Sequence, residues 1–249
     1  KFKMWKKNIY IKNNLDPYPI NRTKIDLFLD CKKCFYINLT FGIRRPHGTP
    51  LAINNAVERL FKNEFDFYRV KKKPHPIIIS LKKDLMPINH PKLEEWRNSF
   101  KGIKFLHKKT NFLLNATIND LWLDYSSGSY VMVDYKSTAK KEVFEHVHIW
   151  PGYWKHLSFY KYLLENLELK VSDTGYLLYA NAQKEAHTFN GILKFDIKLF
   201  SQVLDFSWVE NLLDEIYVTL QSDIIPDASI NCKFCRYLKN INSITNEKL

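Results

Sequence analysis

The run Tyr130-Val-Met-Val-Asp-Tyr-Lys-Ser-Thr138 places an acid, Asp134, and an amine, Lys136, two residues apart. Alternate side chains of a strand share a face, so Asp134 and Lys136 project side by side. Just upstream, Asn115-Ala-Thr-Ile-Asn-Asp-Leu-Trp-Leu-Asp124 reads as a partner strand, joined through the tight turn Ser126-Ser-Gly-Ser129. An acid and an amine aimed at one point, opposite a strand bearing Asn119 and Asp120, is a layout for metal-dependent phosphodiester cleavage. That chemistry calls for a divalent ion to neutralise phosphate charge and lower the pKa of an attacking water. Hard Mg2+ or Mn2+ takes carboxylate oxygens and retained waters. Asp134 supplies one carboxylate, and Lys136 can orient the water or stabilise developing negative charge. Glu58, on a preceding helix, can add a carboxylate or hold a metal-bound water. His156 and Tyr160, four apart on one helical face, can reach a phosphate or brace Lys136. Each residue alone also suits an ordinary role: a surface ion pair, a solvated helix position, a satisfied histidine, a core tyrosine with a polar tip.

The cysteines form a second constellation. Cys31-Lys-Lys-Cys34 and Cys232-Lys-Phe-Cys235 lie near opposite ends of the chain, and no cysteine is left over. A two-residue spacer lets both sulfurs of a pair reach one metal centre, so four thiolates on a shared centre are the expectation. Both Zn2+ and a [4Fe-4S] cluster accept four thiolates; the cluster is slightly preferred and zinc stays open. Such a centre clips distant segments together and closes a very long loop.

The elements that must position these groups follow from periodicity. Asn21-Arg-Thr23 can cap a helix through Ile25, Leu27, Phe28 and Leu29, after an extended opening up to Pro19. Ile37 to Arg45 leads into the loop Pro46-His-Gly-Thr-Pro50. Asn54 to Tyr68 has apolar residues at helical spacing, with Glu58 near one edge of the stripe. Pro91 to Phe100 reads as a short helix with Trp96 inward, and Phe105–Leu106 and Asn111–Leu114 as strands. Tyr153 to Asn166 is an amphipathic helix. Gly175 to Ala180 is a buried strand, and Thr188 to Leu199 contains another. A last long helix runs from Ser207, its expected cap, to Leu220. The fold class is therefore α/β: a central mixed β-sheet flanked by helices. One domain over residues 1–249 is expected, with 20–45 and 225–240 forming a cysteine-centred lobe.

Composition bounds the partner. The 249 residues carry 38 Lys and Arg against 26 Asp and Glu, a formal charge of +12. Such an excess favours a polyanion, because each cation placed near a phosphate releases condensed counterions. No apolar run is long enough to span a bilayer, and the basic start lacks a signal peptide's apolar stretch, so a cytoplasmic protein without a membrane partner is expected.

The order of these motifs resembles the PD-(D/E)XK nuclease superfamily, and within it the RecB-type exonuclease branch that includes nucleases with an iron–sulfur cluster. Thr23-Lys-Ile-Asp-Leu-Phe-Leu-Asp-Cys-Lys-Lys-Cys-Phe-Tyr36 is similar to that branch's opening helix and first cysteine segment. Ile118-Asn-Asp-Leu-Trp122 resembles its aspartate-bearing strand, and Val133-Asp-Tyr-Lys-Ser-Thr138 its (D/E)-x-K strand. Tyr153-Trp-Lys-His-Leu-Ser-Phe-Tyr160 resembles its Gln-x-x-x-Tyr helix, and Ile225 through Cys232-Lys-Phe-Cys-Arg-Tyr237 its terminal cysteine segment. The resemblance spans nearly the whole chain.

It implies a restriction-endonuclease-like core hydrolysing DNA with single-stranded character or free ends. Asp134, Asn119 and Glu58 would hold Mg2+ or Mn2+, with Lys136, His156 and Tyr160 beside them. Four departures accompany the matches: Asn119 stands at the motif-aspartate position, Ala116 at an expected glycine, His156 at the glutamine, and Asn54 and Asn55 where many relatives have a histidine. An amide oxygen brings no charge, so Mg2+ affinity should fall. The resemblance therefore supports a nuclease weakened or inactivated by Asn119, or alternatively a non-catalytic nucleic-acid-binding subunit of a repair, defence or mobile-element complex.

Overall fold

Asn21 starts the first helix as its residue type dictates: its side-chain oxygen accepts from the Lys24 N–H at 3.0 Å. The computed structural model describes residues 9–46, 48–49, 51–140 and 145–246. The basic start of the chain, and His47 and Pro50 of the loop expected at 46–50, lie outside the described residues. In chain order the elements are β1 (Tyr18–Asn21), α1 (Arg22–Asp30), α2 (Lys32–Phe41), α3 (Ala52–Lys71), α4 (Pro76–Ile79), β2 (Leu85–Pro87), α5 (Leu93–Arg97), β3 (Ile103–His107), β4 (Phe112–Ala116), β5 (Asp120–Asp124), β6 (Ser129–Thr138), α6 (Pro151–Glu165), β7 (Thr174–Ala182), β8 (Phe195–Val203), α7 (Trp208–Gln221) and α8 (Lys233–Asn246).

The chain forms two compact units. One takes residues up to Thr49, Leu106–Asn115 and everything from Trp208; the other takes Pro50–Phe105 and Ala116–Ser207. In the first unit, α1 buries Ile25 and Phe28, and α2 buries Phe35, Tyr36 and Leu39. The rings of Phe28 and Phe35 meet edge-on at 4.9 Å. β1 pairs in parallel with β4, Tyr18 against Phe112 through Asn21 against Asn115. α7 buries Val209, Leu212, Leu213, Ile216 and Leu220, the stripe expected of an amphipathic helix.

Two helices of this unit depart from the sequence expectation. Residues from Ile37 continue as α2 to Phe41, and the helix ends at Gly42, whose φ of 66° is the left-handed conformation glycine adopts without penalty. The helix from Ser207 is not the last, because α8 follows the second cysteine pair. Apolar residues at Phe234, Leu238 and Ile241 carry its helical spacing.

The second unit is built on a five-stranded mixed sheet of order β2-β5-β6-β7-β8. β5 and β6 form an antiparallel hairpin, Asp120 against Val133 through Asp124 against Ser129. β6 and β7 run parallel, Val133 against Tyr176 through Thr138 against Asn181, joined through α6, the crossover that parallel strands require. β8 closes the sheet antiparallel to β7. One core gathers Val57, Phe61 and Phe65 of α3 with Val131, Val133 and Tyr135 of β6 and Trp122 of β5. Phe65 stacks on Trp122 at 5.4 Å, and Phe61 meets Tyr135 at 5.2 Å. The expected α/β class with helix-flanked mixed sheet is the one that forms.

The strand expected over Asn115–Asp124 is divided. β4 ends at Ala116 and β5 begins at Asp120. Between them the Ile118 N–H donates to the Trp96 carbonyl at 3.2 Å, and Arg97 Nε donates to the Asn119 carbonyl at 2.8 Å. The α5 segment thus satisfies backbone groups that a continuous strand would have offered to a ladder.

Candidate functional site

Strand β6 sorts its side chains by parity. Val131, Val133 and Tyr135 enter the core with α3, so Asp134 and Lys136 lie on the opposite face. There Lys136 Nζ stands 2.5 Å from Asp134 Oδ2, with the carboxylate nearly buried and the amine partly reachable. The ammonium also donates to the Tyr135 carbonyl at 3.3 Å and sits 4.9 Å from the ring centre of Tyr153 on α6. Tyr153 was not singled out from sequence; it lies one helical turn before His156. The His156 ring packs 5.9 Å from Tyr153 and 5.5 Å from Trp150, and Tyr160 is buried one turn farther along. Burial, then the adjoining Tyr153 hydroxyl and the Asp134 charge, push the Tyr179 phenol well up.

Asn119 immediately precedes β5, and extending the hairpin register by one pair sets it opposite Asp134. Its Oδ1 accepts from the Tyr135 N–H at 3.0 Å, and its Nδ2 donates to Glu58 Oε1 at 2.7 Å. These partners fix the amide's orientation, since a backbone donor needs the oxygen and a carboxylate needs the NH2. The same Glu58 oxygen accepts from Lys62 Nζ at 2.6 Å. One turn earlier on α3, Asn54 donates to the Ser137 carbonyl at 3.0 Å and to its hydroxyl at 2.8 Å. Asn119 therefore bridges α3 to the backbone beside Asp134.

Asp120 faces the other way, as its strand parity requires. It is fully buried and accepts from both Arg69 and Arg97, the latter at 2.7 Å. It also takes hydrogen bonds from the Tyr135 hydroxyl at 2.6 Å and from Trp122 Nε1 at 3.2 Å. Asp66 joins the two guanidinium groups. Burial, then the charge and hydrogen bond of Asp120, raise the Tyr135 phenol well above its ordinary value, opposed by the two arginines. Asp120 is thus a structural anchor beneath the site. Arg69 and Arg97 lie 51 and 23 residues from it in sequence, beyond the reach of any local motif.

Residues 41–239 match the family described as the PD-(D/E)XK nuclease superfamily. The chain belongs to this superfamily. Its members typically use divalent metals, and membership supports a nuclease-type function. No curated protein matches the chain. No helix among the described residues is long and apolar enough to cross a membrane.

Around Asp134 in this PD-(D/E)XK protein the carboxylates lie among cations and an amide donor. Asp134 is matched by Lys136, and Glu58 by Lys62 and the Asn119 amide. The remaining Asn119 oxygen is engaged by a backbone N–H. One oxygen of each carboxylate, Asp134 Oδ2 and Glu58 Oε1, thus already meets a cation or an amide donor with which a hard cation would compete.

The cysteines of the same chain converge in the first unit. Cys34 lies 3.6 Å from Cys232 and 3.4 Å from Cys235, and Cys31 lies 3.8 Å from Cys235, sulfur to sulfur. All four sulfurs fall within 4.8 Å of one another, the arrangement of a group able to hold a metal. Local folding accounts for it. Cys31 is the hinge between α1 and α2, and Cys34 lies in the first turn of α2; Cys232 precedes α8, and Cys235 lies in its first turn. Burial pushes the Cys31 thiol up. Hydrogen bonds from the Cys34 and Ser229 backbones and from the Cys232 and Cys34 side chains more than offset this and bring it to about 7. Family matching begins at residue 41, so the first cysteine pair stands outside the matched span.

Proposed function

We propose that this chain is a RecB-like PD-(D/E)XK protein that binds DNA with single-stranded character or free ends, and that hydrolysis at Asp134 and Lys136 is held back by Asn119. The observation carrying this reading is the Asn119 amide between Glu58 and the Tyr135 backbone. An aspartate at that position would keep the hydrogen bond from Tyr135 but turn its second oxygen toward Glu58. Two carboxylates facing each other call for a cation between them; the amide satisfies Glu58 without one.

What the chain's own residues do follows from their charges. Lys136 offers a partly exposed ammonium to a phosphate oxygen, held in place by Asp134 and the Tyr153 ring. Lys62 adds a second cation along α3. His156 supports the Tyr153 ring, and Tyr160 lies in the packing of the same helix. The overall excess of 38 basic over 26 acidic residues supports a polyanionic partner. The locked amide equally favours a second reading, a non-catalytic subunit that recognises DNA within a larger complex.

One experiment separates them. The wild-type chain and Asn119→Asp are incubated with end-labelled single- and double-stranded DNA in Mn2+. Binding by both, weakening steeply with salt, and cleavage at least ~100-fold faster in Asn119→Asp, the scale on which one charged group at a reacting centre acts, is the expected result. Cleavage by neither leaves the non-catalytic subunit. Equal cleavage by both removes the inhibitory role of Asn119, and failure of both to bind DNA overturns the proposal.

A further inference from the structure

The cysteine centre has a size, and size distinguishes metals. Four thiolates on a single zinc ion, with Zn–S near 2.3 Å, stand at the corners of a tetrahedron whose edge is about 3.8 Å. The three sulfur pairs given above run from 3.4 to 3.8 Å. In a [4Fe-4S] cluster each thiolate binds its own iron, so the sulfurs lie outside a four-iron core and must stand farther apart than ligands sharing one ion. A centre in which all four sulfurs lie within 4.8 Å of one another leaves no room for that core.

Surroundings of the sulfurs suit the charge of such a site. Four thiolates on a divalent ion leave a net charge of about −2. Arg45 Nη2 donates to Cys232 Sγ at 3.2 Å, and the same guanidinium pairs with Asp30 at 2.5 Å and lies 4.8 Å from the Phe234 ring centre. The Cys235 N–H approaches Cys232 Sγ at 3.5 Å. The remaining Arg45 nitrogen, Nε, is buried with no hydrogen-bond partner. A part-buried guanidinium with one buried nitrogen unsatisfied is costly unless a negative charge beside it holds it there. A cation that donates to a ligating thiolate in this way tunes metal affinity from outside the ligand set.

We propose that Cys31, Cys34, Cys232 and Cys235 hold one Zn2+ ion as a tetrathiolate, and that Arg45 is its positioning residue, neutralising part of the thiolate charge. This departs from the iron–sulfur centre that the family resemblance implies, and it stands independently of whether the chain cleaves DNA.

The test uses the full chain, produced with both zinc and iron in the medium and purified without oxygen. Elemental analysis should find one zinc per chain, no labile sulfide and no visible absorption. Replacing zinc by Co2+ should give the ligand-field bands of a tetrahedral tetrathiolate, and X-ray absorption a single sulfur shell without a metal–metal distance. Iron in stoichiometric amount, with or without sulfide, overturns the zinc assignment. For Arg45, zinc release to a chromogenic chelator should be at least ~10-fold faster in Arg45→Gln, the usual scale for a lost outer partner, and intermediate in Arg45→Lys. Circular dichroism establishes that each variant is folded. Release at the wild-type rate in folded Arg45→Gln overturns the positioning role. Should that variant not fold, Arg45→Lys alone decides: an unchanged rate and unchanged Co2+ charge-transfer bands count against the role, and faster release with shifted bands supports it.

Discussion

Tyr135 donates its hydroxyl to Asp120 Oδ2 at 2.6 Å while its own backbone N–H donates to Asn119 Oδ1 at 3.0 Å. Asn119, just before β5, and Asp120, its first residue, are therefore tied to one residue of β6, one at the edge of the site and one through the core. The side chains that could do chemistry and those that hold the hairpin together are alternate faces of the same few residues.

Removing the buried half of that tie should be a stability change first. Tyr135→Phe leaves an Asp120 oxygen short of a donor in a fully buried site, at a cost of ~1–3 kcal/mol. Urea denaturation should show the loss. If DNA is bound at the Asp134 face as proposed, its affinity should change by less than about threefold, or ~0.6 kcal/mol, because the Tyr135 hydroxyl lies on the opposite face against Asp120.

Breaking the ion network beneath the site should cost more. Arg69→Met leaves Asp120 paired with Arg97 alone among the described residues and removes the guanidinium bond to the Ile88 carbonyl at 2.6 Å. Deleting one partner of a buried pair typically costs ~3–5 kcal/mol. Thermal and urea unfolding of Arg69→Met should both show a large drop, whereas Glu64→Ala, whose carboxylate is half-exposed, should stay within ~1 kcal/mol of wild type.

Lys24 gives a pH dependence of definite sign. Burial, and then the nearby Arg44 charge, lower its ammonium to about 8 from 10.5. The folded state sheds this proton before the unfolded state does, so between about pH 8 and 10.5 the unfolded chain binds more protons and this group's contribution to stability rises with pH. Below about 8 both states hold the proton and the cost of burying a charge is present in full. Lys24→Met removes the linkage. The stability of wild type relative to Lys24→Met should therefore climb as pH is raised from 8 to 10; a flat difference counts against it.

Local grammar made much of this molecule legible. Asn21 followed by an apolar stripe announced α1, and the Asp134-x-Lys136 alternation announced both the strand and the face these two residues share, because capping and period-two parity act within a few residues. The four cysteines were legible as one centre because metal ligation constrains spacing so tightly. What the sequence did not disclose depends on distant partners. The break between β4 and β5 arises from Trp96 and Arg97, whose carbonyl and guanidinium take the backbone groups of Ile118 and Asn119. Tyr153 reads locally as one more aromatic on an amphipathic helix; only the fold sets its ring against Lys136. The orientation of the Asn119 amide likewise depends on Glu58, 61 residues away.

That amide carries the last prediction. In Asn119→Asp, without metal, a carboxylate oxygen replaces the NH2 that now donates to Glu58, and two like charges face each other at hydrogen-bond range. Glu58 is part-exposed and keeps Lys62, so the repulsion lies between the water and protein-surface limits, on the order of 1–4 kcal/mol. Melting in chelator should show that loss. Added Mn2+ binds between the two carboxylates and stabilises only the state in which they are together, so it should restore and then exceed wild-type stability in proportion to the logarithm of its concentration. Wild type should gain little from the same Mn2+ titration, because its amide already satisfies Glu58. A variant as stable as wild type in chelator, or indifferent to Mn2+, would mean that Asn119 does not occupy a cation position.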